Sequence, residues 1–456
     1  MDKRFPIEDQ IEMLAASLKG RVIAPRHAEY EAMRLLVPSN YDKKPAAIIR
    51  VANAADIAAV LNFARATDLP LAVRSGGHSV FGSCDNGLVI DMRELNGMEI
   101  DVPARTAWCG TGLTAGEVTA AVEDKGLIVG FGDTASVGIG GLTAGGGIGY
   151  MVRKYGLTID SVIAAEVVTA SGDIVVADET NHPDLFWAVR GGGGNFGVVT
   201  RWKYQLQPLP DFTGGPLVLP ATPEVVAGFV ALAEAAPDEL SAIASVMRSP
   251  PLPFLQPELI GKAVFMCMMA YAGPAAEAEK VLAPFRALAK PYADLIAPGP
   301  YSQMYMPEPP DTRLAFGVRS RLIDRFGRAE AQAVIDTVNR STALIALGEI
   351  RVLGGAMSRV PADATAFAHR RDCVMVSFIG VTPNPVDASR QADWAQTGIE
   401  AIEQDDDRVY VNFIVGDKAD RRGAAYPAAT MARLRQAKRR YDPDNLFRLN
   451  QNILPA

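Results

Sequence analysis

The sequence predicts an α+β fold in two parts, and three observations carry that reading. Short apolar strand patterns alternate with capped helical patterns through residues 40–208. Composition then shifts to proline and glycine in "QLQPLPDFTGGPLVLPATP", which marks a boundary near residue 209. Beyond it, helical segments interleave with strands, the pattern of a sheet covered by helices on one face. A length of 456 residues accommodates two or three domains, or one large domain with insertions.

In order, "AAIIRV" (Ala46 to Val51) is a short apolar strand. "NAADIAAVLNFARATD" is a helix, with Asn53 as N-cap, Asp56 three residues on, and Ile57, Val60, Leu61 and Ala64 on one face. "LPLAVRSGG" and "GLVIDM" are strands flanking a turn that holds one of only four histidines, His78. "LTAGEVTAAVEDKG" opens on a capping box, Thr114 to Glu117, and stops at Gly126. "VIAAEVVTASGDIVVAD" reads as a hairpin around a Ser-Gly-Asp turn. This rhythm describes an α+β nucleotide-binding domain.

In the second part, "EVVAGFVALAEAAP", "AAEAEKVLAPFRALAK" and "AEAQAVIDTVNRS" read as helices, and "KAVFMCMMAYAG", "GEIRVLGGA" and "VYVNFIVGD" as strands. "YSQMYMPEPP", Tyr301 to Pro310, reads as a lid or loop whose aromatic and methionine side chains either pack as core or shape an apolar pocket. "YPAATMARLRQAKRRYDPDNLF" is a basic amphipathic helix ended by Asp442 and Pro443.

A net charge of −7 argues against nucleic-acid partners, which need a basic surface. The four cysteines, Cys84, Cys109, Cys267 and Cys373, form no C-x-x-C pair, so neither a metal site nor a disulfide framework is expected. "MDKRFPIEDQIEML" carries charges where a secretory signal has an apolar core. The uncharged stretch Thr134 to Val152 is broken by glycines and reads as loop rather than a membrane span. A cytoplasmic protein without a membrane partner is expected, as monomer or homodimer.

Three glycine-rich stretches stand out: Arg74 to Ser79, Gly138 to Gly149, and Gly191 to Gly197. Glycine lets backbone N–H groups approach a pyrophosphate closely, although each stretch taken singly is equally readable as a flexible turn. Gly192, Gly194 and Gly197 match the G-x-G-x-x-G dinucleotide fingerprint, but that motif must open a helix. The segment "VVTRWKYQLQP" alternates with a period of two instead, and the expected downstream acidic residue is missing, so the fingerprint fails on context.

Together, "RSGGHS" (Arg74 to Ser79), "GGLTAGGGIGYMVRKYGLTID" (Gly140 to Asp160), "DLFWAVRGGGGNFGVVT" (Asp184 to Thr200) and "YDPDNLFRLNQNILP" (Tyr441 to Pro455) resemble the berberine-bridge-enzyme-like flavoprotein oxidases of the vanillyl-alcohol-oxidase type. The resemblance covers most of the first 205 residues and the C-terminal tail. It implies a PCMH-type FAD-binding domain of two α/β subdomains (residues 1–208), a substrate domain with a helix-covered antiparallel sheet (209–415), and a C-terminal segment (416–456) returning to the first domain.

What the resemblance implies for the site follows residue by residue. His78 matches the histidine that bonds covalently to the flavin, a role suited to a neutral imidazole nitrogen. Arg74 and the Ser75, Gly76 and Gly77 amides, with Ser79, would meet the pyrophosphate. Thr134, Val137, Gly138, Gly140, Gly141, Gly145, Gly146, Gly147, Asn195, Gly197, Val198, Val199 and Asn450 complete the expected FAD contacts. Many relatives attach the flavin a second time through a cysteine; Thr134 stands there, so a single attachment is expected, as in the 6-hydroxy-D-nicotine oxidase branch. Val137 holds the position where a small aliphatic residue accompanies reactivity with oxygen.

Some relatives carry a catalytic tyrosine where this chain has Phe413 in "YVNF", so the acid/base must lie elsewhere. Alternation in "GEIRVLGG" puts Glu349, Arg351 and Leu353 on one strand face. By analogy of position, Glu349 is the acid/base candidate and Arg351 its orienting partner, unless the two form an edge-strand surface salt bridge. Tyr410 and Asn412, on one side of their strand opposite Phe413, are further polar candidates, and His369 is expected to hold a loop. The expected activity is hydride removal from a small amine, alcohol or phenolic natural product, with molecular oxygen as acceptor. Sugar or oligosaccharide oxidation, dearomatising oxygenation, electron-transferring dehydrogenation and a non-catalytic flavin-binding role are the alternatives.

Overall fold

The computed structural model describes residues 5–307, 313–402, 404, 407–415 and 421–456. The expected α+β architecture is found. Among the described residues a four-stranded sheet runs in the order Arg21–Ile23, Ala47–Arg50, Leu88–Asp91, Leu71–Arg74, with the last three strands parallel. The crossover helix Ala54–Thr67 covers it, and Asn53 accepts the Asp56 N–H as its N-cap. A five-stranded antiparallel sheet follows, in the order Met98–Asp101, Thr106–Gly110, Val198–Gln205, Val162–Val168, Ile174–Ala177. Val198–Gln205 alternates buried and half-buried residues along its whole length, as its period of two requires. The capping box at Thr114 and Glu117 starts the helix Ala115–Glu123.

The third sheet is antiparallel and larger. Its long strands lie in the order Phe212–Pro220, Ala263–Ala272, Leu240–Arg248, Ile345–Leu353, Cys373–Thr382, Ala315–Ile323. Helices Pro223–Ala235, Arg328–Arg340 and Ala388–Ala401 cover one face, where Phe229, Val334 and Ile399 pack on Val246, Ile350 and Val376. The opposite face, carrying Glu349, Arg351, Leu353 and Met375, looks at the first two sheets. The C-terminal helix Ala428–Tyr441 returns to the N-terminal half. Its Lys438 ammonium is fully buried, pairs with Asp442 at 2.6 Å and donates to the carbonyls of Asn195 and Phe447.

Two local expectations are corrected and a third is decided between its alternatives. The stretch Thr134 to Val152 is not all loop: Ile139–Gly145 is a short helix, because Ile139 and Thr143 find complete burial and the Thr143 hydroxyl meets Tyr204 OH at 2.8 Å. "VYVNFIVGD" is not a strand. Val411–Phe413 is a 3-10 turn, held by side-chain bonds to the 141–147 segment instead of a neighbouring strand; Gly416 and Asp417 lie outside the described residues. For Tyr301–Met304 the core alternative holds, since Tyr301 and Met304 are each 1% exposed against the Phe212 strand; Glu308 to Pro310 lie outside the described residues. The helix-length limit also answers the membrane question for the described residues: no helix is long and apolar enough to cross a bilayer.

One buried ion pair joins the layers. Arg370, just before the Cys373 strand, makes two parallel 2.8 Å bonds to Asp160, just before the Val162 strand, and both side chains are buried. Removing one partner of such a pair strands the other charge. Arg370→Met is expected to lower the unfolding free energy by ~3–5 kcal/mol. In urea titrations the double variant Arg370→Met/Asp160→Asn should recover part of that loss.

Candidate active site

A cavity of about 480 Å³ runs between the first two sheets, the large sheet and the C-terminal segment. That volume lies within the ~300–1,000 Å³ typical of small-molecule sites. Its wall draws on all three glycine-rich stretches, through Gly76, Gly77, Gly138, Gly140, Gly141, Gly193, Gly194 and Gly197. Ser75, His78, Ser79, Thr134, Val137, Asn195, Val198, Val199 and Asn450 line it as well.

Two of the stretches meet backbone to backbone. A Cβ on Gly76 would stand 2.3 Å from the Gly138 nitrogen, and one on Gly138 would stand 2.2 Å from the Gly76 nitrogen. Neither position tolerates a side chain, and this contact sets the His78 turn beside residues 134–138. The His78 ring lies in the cavity wall with Nε2 2.8 Å from Ser136 Oγ. Ser75 Oγ donates to the Thr111 carbonyl at 2.5 Å and is approached by the Gly140 N–H at 3.4 Å.

Several residues expected to contact the cofactor are also tied to other parts of the protein. The Arg74 guanidinium is buried and bonded to Asp91 at 2.6 Å; burial pulls its pKa down and Asp91 pulls it back up. Arg74 also lines the cavity, beside Ser75 and Gly76. Gly145, Gly146 and Gly147 are not on the wall. They make room for the 410–413 turn: a Cβ on Gly145 would stand 2.0 Å from Asn412 Oδ1, and the Gly147 N–H donates to Tyr410 OH at 2.8 Å. Asn195 lines the cavity while fastening loops, donating to the Gly192 carbonyl and accepting from the Ile453 N–H.

The other end of the cavity is bounded by Arg351, Tyr410, Val411, Asn412, Phe413, Ile414 and Val415. Tyr410 and Asn412 do meet, with Asn412 Nδ2 donating to Tyr410 OH at 2.8 Å and to the Leu142 carbonyl at 3.2 Å. Burial pushes the Tyr410 phenol up to about 12, so it stays a neutral hydrogen-bonding group. The Arg351 guanidinium sits 5.5 Å from the Phe413 ring centroid. His369 is buried with Nε2 2.8 Å from the Ala424 carbonyl, the loop-holding arrangement expected of it.

Glu349 and Arg351 are not an edge-strand surface pair, because their strand runs between Leu240–Arg248 and Cys373–Thr382 and both side chains are buried. Arg351 Nε donates to Glu349 Oε1 at 2.8 Å. Its Nη2 donates at 2.7 Å to Asp133 Oδ2, a residue the sequence reading missed. Asp133 lies on the cavity wall, immediately before Thr134, which donates to its other oxygen at 3.2 Å. Nothing in the local pattern "GFGDTASVG" marks this carboxylate, because its partner lies 218 residues away. Burial raises the Glu349 carboxyl above the ordinary carboxylate range; Arg351 pulls it down and Asp133 adds to the rise. For Arg351, burial opposes the charged form, but Asp133 and Glu349 more than offset it and hold the guanidinium charged.

The cavity fits FAD. Gly77, Gly141, Gly193 and Gly194 face open space or only ordinary contacts, so no side chain separates their backbone from a pyrophosphate. Asn450 Oδ1, on the wall, is buried and without a hydrogen-bond partner, an acceptor that suits a cofactor donor.

Comparison with known proteins agrees with that fit. Residues 45–178 match the FAD binding domain family, and residues 409–454 match the family described as berberine and berberine like. The (R)-6-hydroxynicotine oxidase of Paenarthrobacter nicotinovorans is 28% identical over 467 residues, covering 96% of this chain and 97% of that protein. The crystal structure of 6-hydroxy-D-nicotine oxidase from Arthrobacter nicotinovorans superposes with a TM-score of 0.86 at 25% identity, over 96% of this chain and 98% of the other. Xylooligosaccharide oxidase from Myceliophthora thermophila C1 superposes with a TM-score of 0.85 at 25% identity, over 98% and 99%. With its FAD binding domain and its berberine and berberine-like segment flanking a helix-covered sheet, the chain is similar along nearly its whole length to FAD-linked oxidoreductases.

Proposed function

We propose that the protein is an oxidase that holds FAD through one covalent bond to His78 and removes a hydride from a small amine, alcohol or phenolic natural product. Molecular oxygen is the final acceptor and hydrogen peroxide the product. The observation that carries this reading is the shared cavity: His78, Thr134 and Val137 line it together with Arg351, Tyr410, Asn412 and Phe413. Residues 1–208 with 416–456 hold the cofactor in this reading, and 209–415 roof its substrate side.

When bound, FAD supplies the two-electron acceptor for the hydride at N5 and the route from there to oxygen. The chain's own residues bind and orient. His78 is the single tether, because the second attachment point carries Thr134, whose hydroxyl is no match for a thiolate as a nucleophile. Gly76, Gly77, Gly193 and Gly194 present backbone to the pyrophosphate. Arg351 and the neutral Tyr410 hydroxyl fix the polar end of the substrate, while Val411, Phe413, Ile414 and Val415 exclude water from its apolar part. Glu349, 2.8 Å from the Arg351 guanidinium, accepts or returns the substrate proton, since Phe413 cannot.

Acid-precipitated protein is expected to stay yellow, with one added FAD mass on the denatured chain, and His78→Ala to give a colourless pellet. A bare polypeptide mass for the unaltered protein would rule out the tether. Gly76→Ala should purify with a lower ratio of flavin to protein absorbance, because the added methyl pushes apart the two segments that carry His78 and Gly138. Mixing reduced protein with air-saturated buffer in a stopped-flow instrument should reoxidise it rapidly with release of peroxide. Reoxidation over many minutes would instead support a dehydrogenase or a binding protein. Anaerobic flavin bleaching by amines, alcohols, phenols and sugars identifies the substrate class.

A further inference from the structure

The carboxylate–guanidinium–carboxylate chain reaches the cavity wall through Asp133 and Arg351, with Glu349 set behind Arg351, and it spans two parts of the fold. Asp133 belongs to the loop that also carries Thr134 and Val137, whereas Arg351 and Glu349 belong to the central strand of the large sheet. The guanidinium is divided by geometry. Nη2 goes to Asp133 at 2.7 Å, Nε to Glu349 at 2.8 Å, and Nη1 to the Ile148 carbonyl at 3.4 Å. All three nitrogens are therefore engaged.

Among the described residues Arg351 is the one cation that acts on Glu349. Its cross-strand neighbours on the same sheet face are Ser245 on one side and Ser377 on the other, and the row continues to Ser320. Ser377 is wholly buried, and its hydroxyl has no hydrogen-bond partner. The remaining titratable group in its field is Tyr150, a phenol that burial raises and keeps neutral. One positive charge thus faces two carboxylates, of which Asp133 is the more exposed (26% against 9%) and Glu349 the more deeply set. In such a set the buried carboxyl takes up the proton more readily.

We propose that Asp133 is a positioning residue for Glu349: by holding the Arg351 guanidinium from the flavin-side loop, it leaves Glu349 only part of its counter-charge, so that Glu349 carries the exchangeable proton of the site. This deepens the oxidase reading, on which the assignment of proton transfer to Glu349 rests. It also gives the 133–137 loop a part in the substrate side of the cavity, because the same residue that precedes Thr134 sets the charge state of a side chain on the opposite sheet.

The test needs no substrate. Infrared difference spectra of the purified flavin-loaded protein, recorded across a pH titration, follow the carbonyl band of a protonated buried carboxyl. Glu349→Gln is expected to abolish that band. Asp133→Asn is expected to move its midpoint down by about one pH unit or more, because Arg351 then belongs to Glu349 alone and favours the carboxylate. Asp133→Glu should restore the midpoint, and Asp133→Ser replaces Asp133→Asn should the latter not fold. An unchanged midpoint in Asp133→Asn or Asp133→Ser, or a band that survives Glu349→Gln, overturns the proposal. The oxidase reading fails independently, by the absence of flavin bleaching with every substrate class, and the infrared result does not depend on it.

Discussion

The cavity depends on a backbone contact with no space for a side chain. Gly76 and Gly138 lie so close that either Cβ would collide with the other residue's nitrogen. That contact fixes the His78 turn, which leaves the parallel strand Leu71–Arg74, against the loop and short helix that follow residue 133. Van der Waals exclusion acts here with a tolerance of tenths of an ångström, far tighter than any surface ion pair could impose. The wall is smooth backbone because both partners lack side chains, and smooth backbone is what a flavin dinucleotide requires.

Around that contact the protein uses buried charge as mortar. Arg74 with Asp91, Arg370 with Asp160, Lys438 with Asp442, and Arg351 with Asp133 and Glu349 are each largely withdrawn from water. Buried pairs add little net stability over apolar packing, but each demands a specific geometry because a lost partner leaves an unsolvated charge. The first three fix loops in register. Lys438 illustrates this: its three bonds tie the C-terminal helix to Asn195, a wall residue, and to Phe447. The Arg351 set differs, having two carboxylates for one guanidinium and an open side toward the cavity.

Thr134 and Phe413, the two positions where the sequence reading expects a departure, both lie on the cavity wall. Phe413 packs beside Tyr410 at 5.6 Å between centroids and under Arg351, so an apolar ring there faces a cation. Glu349 and Arg351 project from a strand held on both sides, by five residue pairs to one neighbour and nine to the other. A site on a central strand is held more rigidly than one on a loop.

The sequence by itself determined the α+β class, the strand and helix periods of the N-terminal half, the caps at Asn53 and Thr114, the His78 turn, and the pairing of Glu349 with Arg351 on one strand face. These are local: a cap reads its own next three residues, and a strand face follows from a period of two. Tertiary structure alone decided the rest. It curled Val411–Phe413 into a turn because Tyr410 and Asn412 bond to residues 142–147, distant in sequence. It drew Ile139–Gly145 into a helix because burial outweighs the weak propensity of glycine. It paired Arg74 with Asp91, and it brought Asp133 to Arg351 across 218 residues. Charge pairing over such separations leaves no periodic trace in a chain, since it is set only when sheets close over one another.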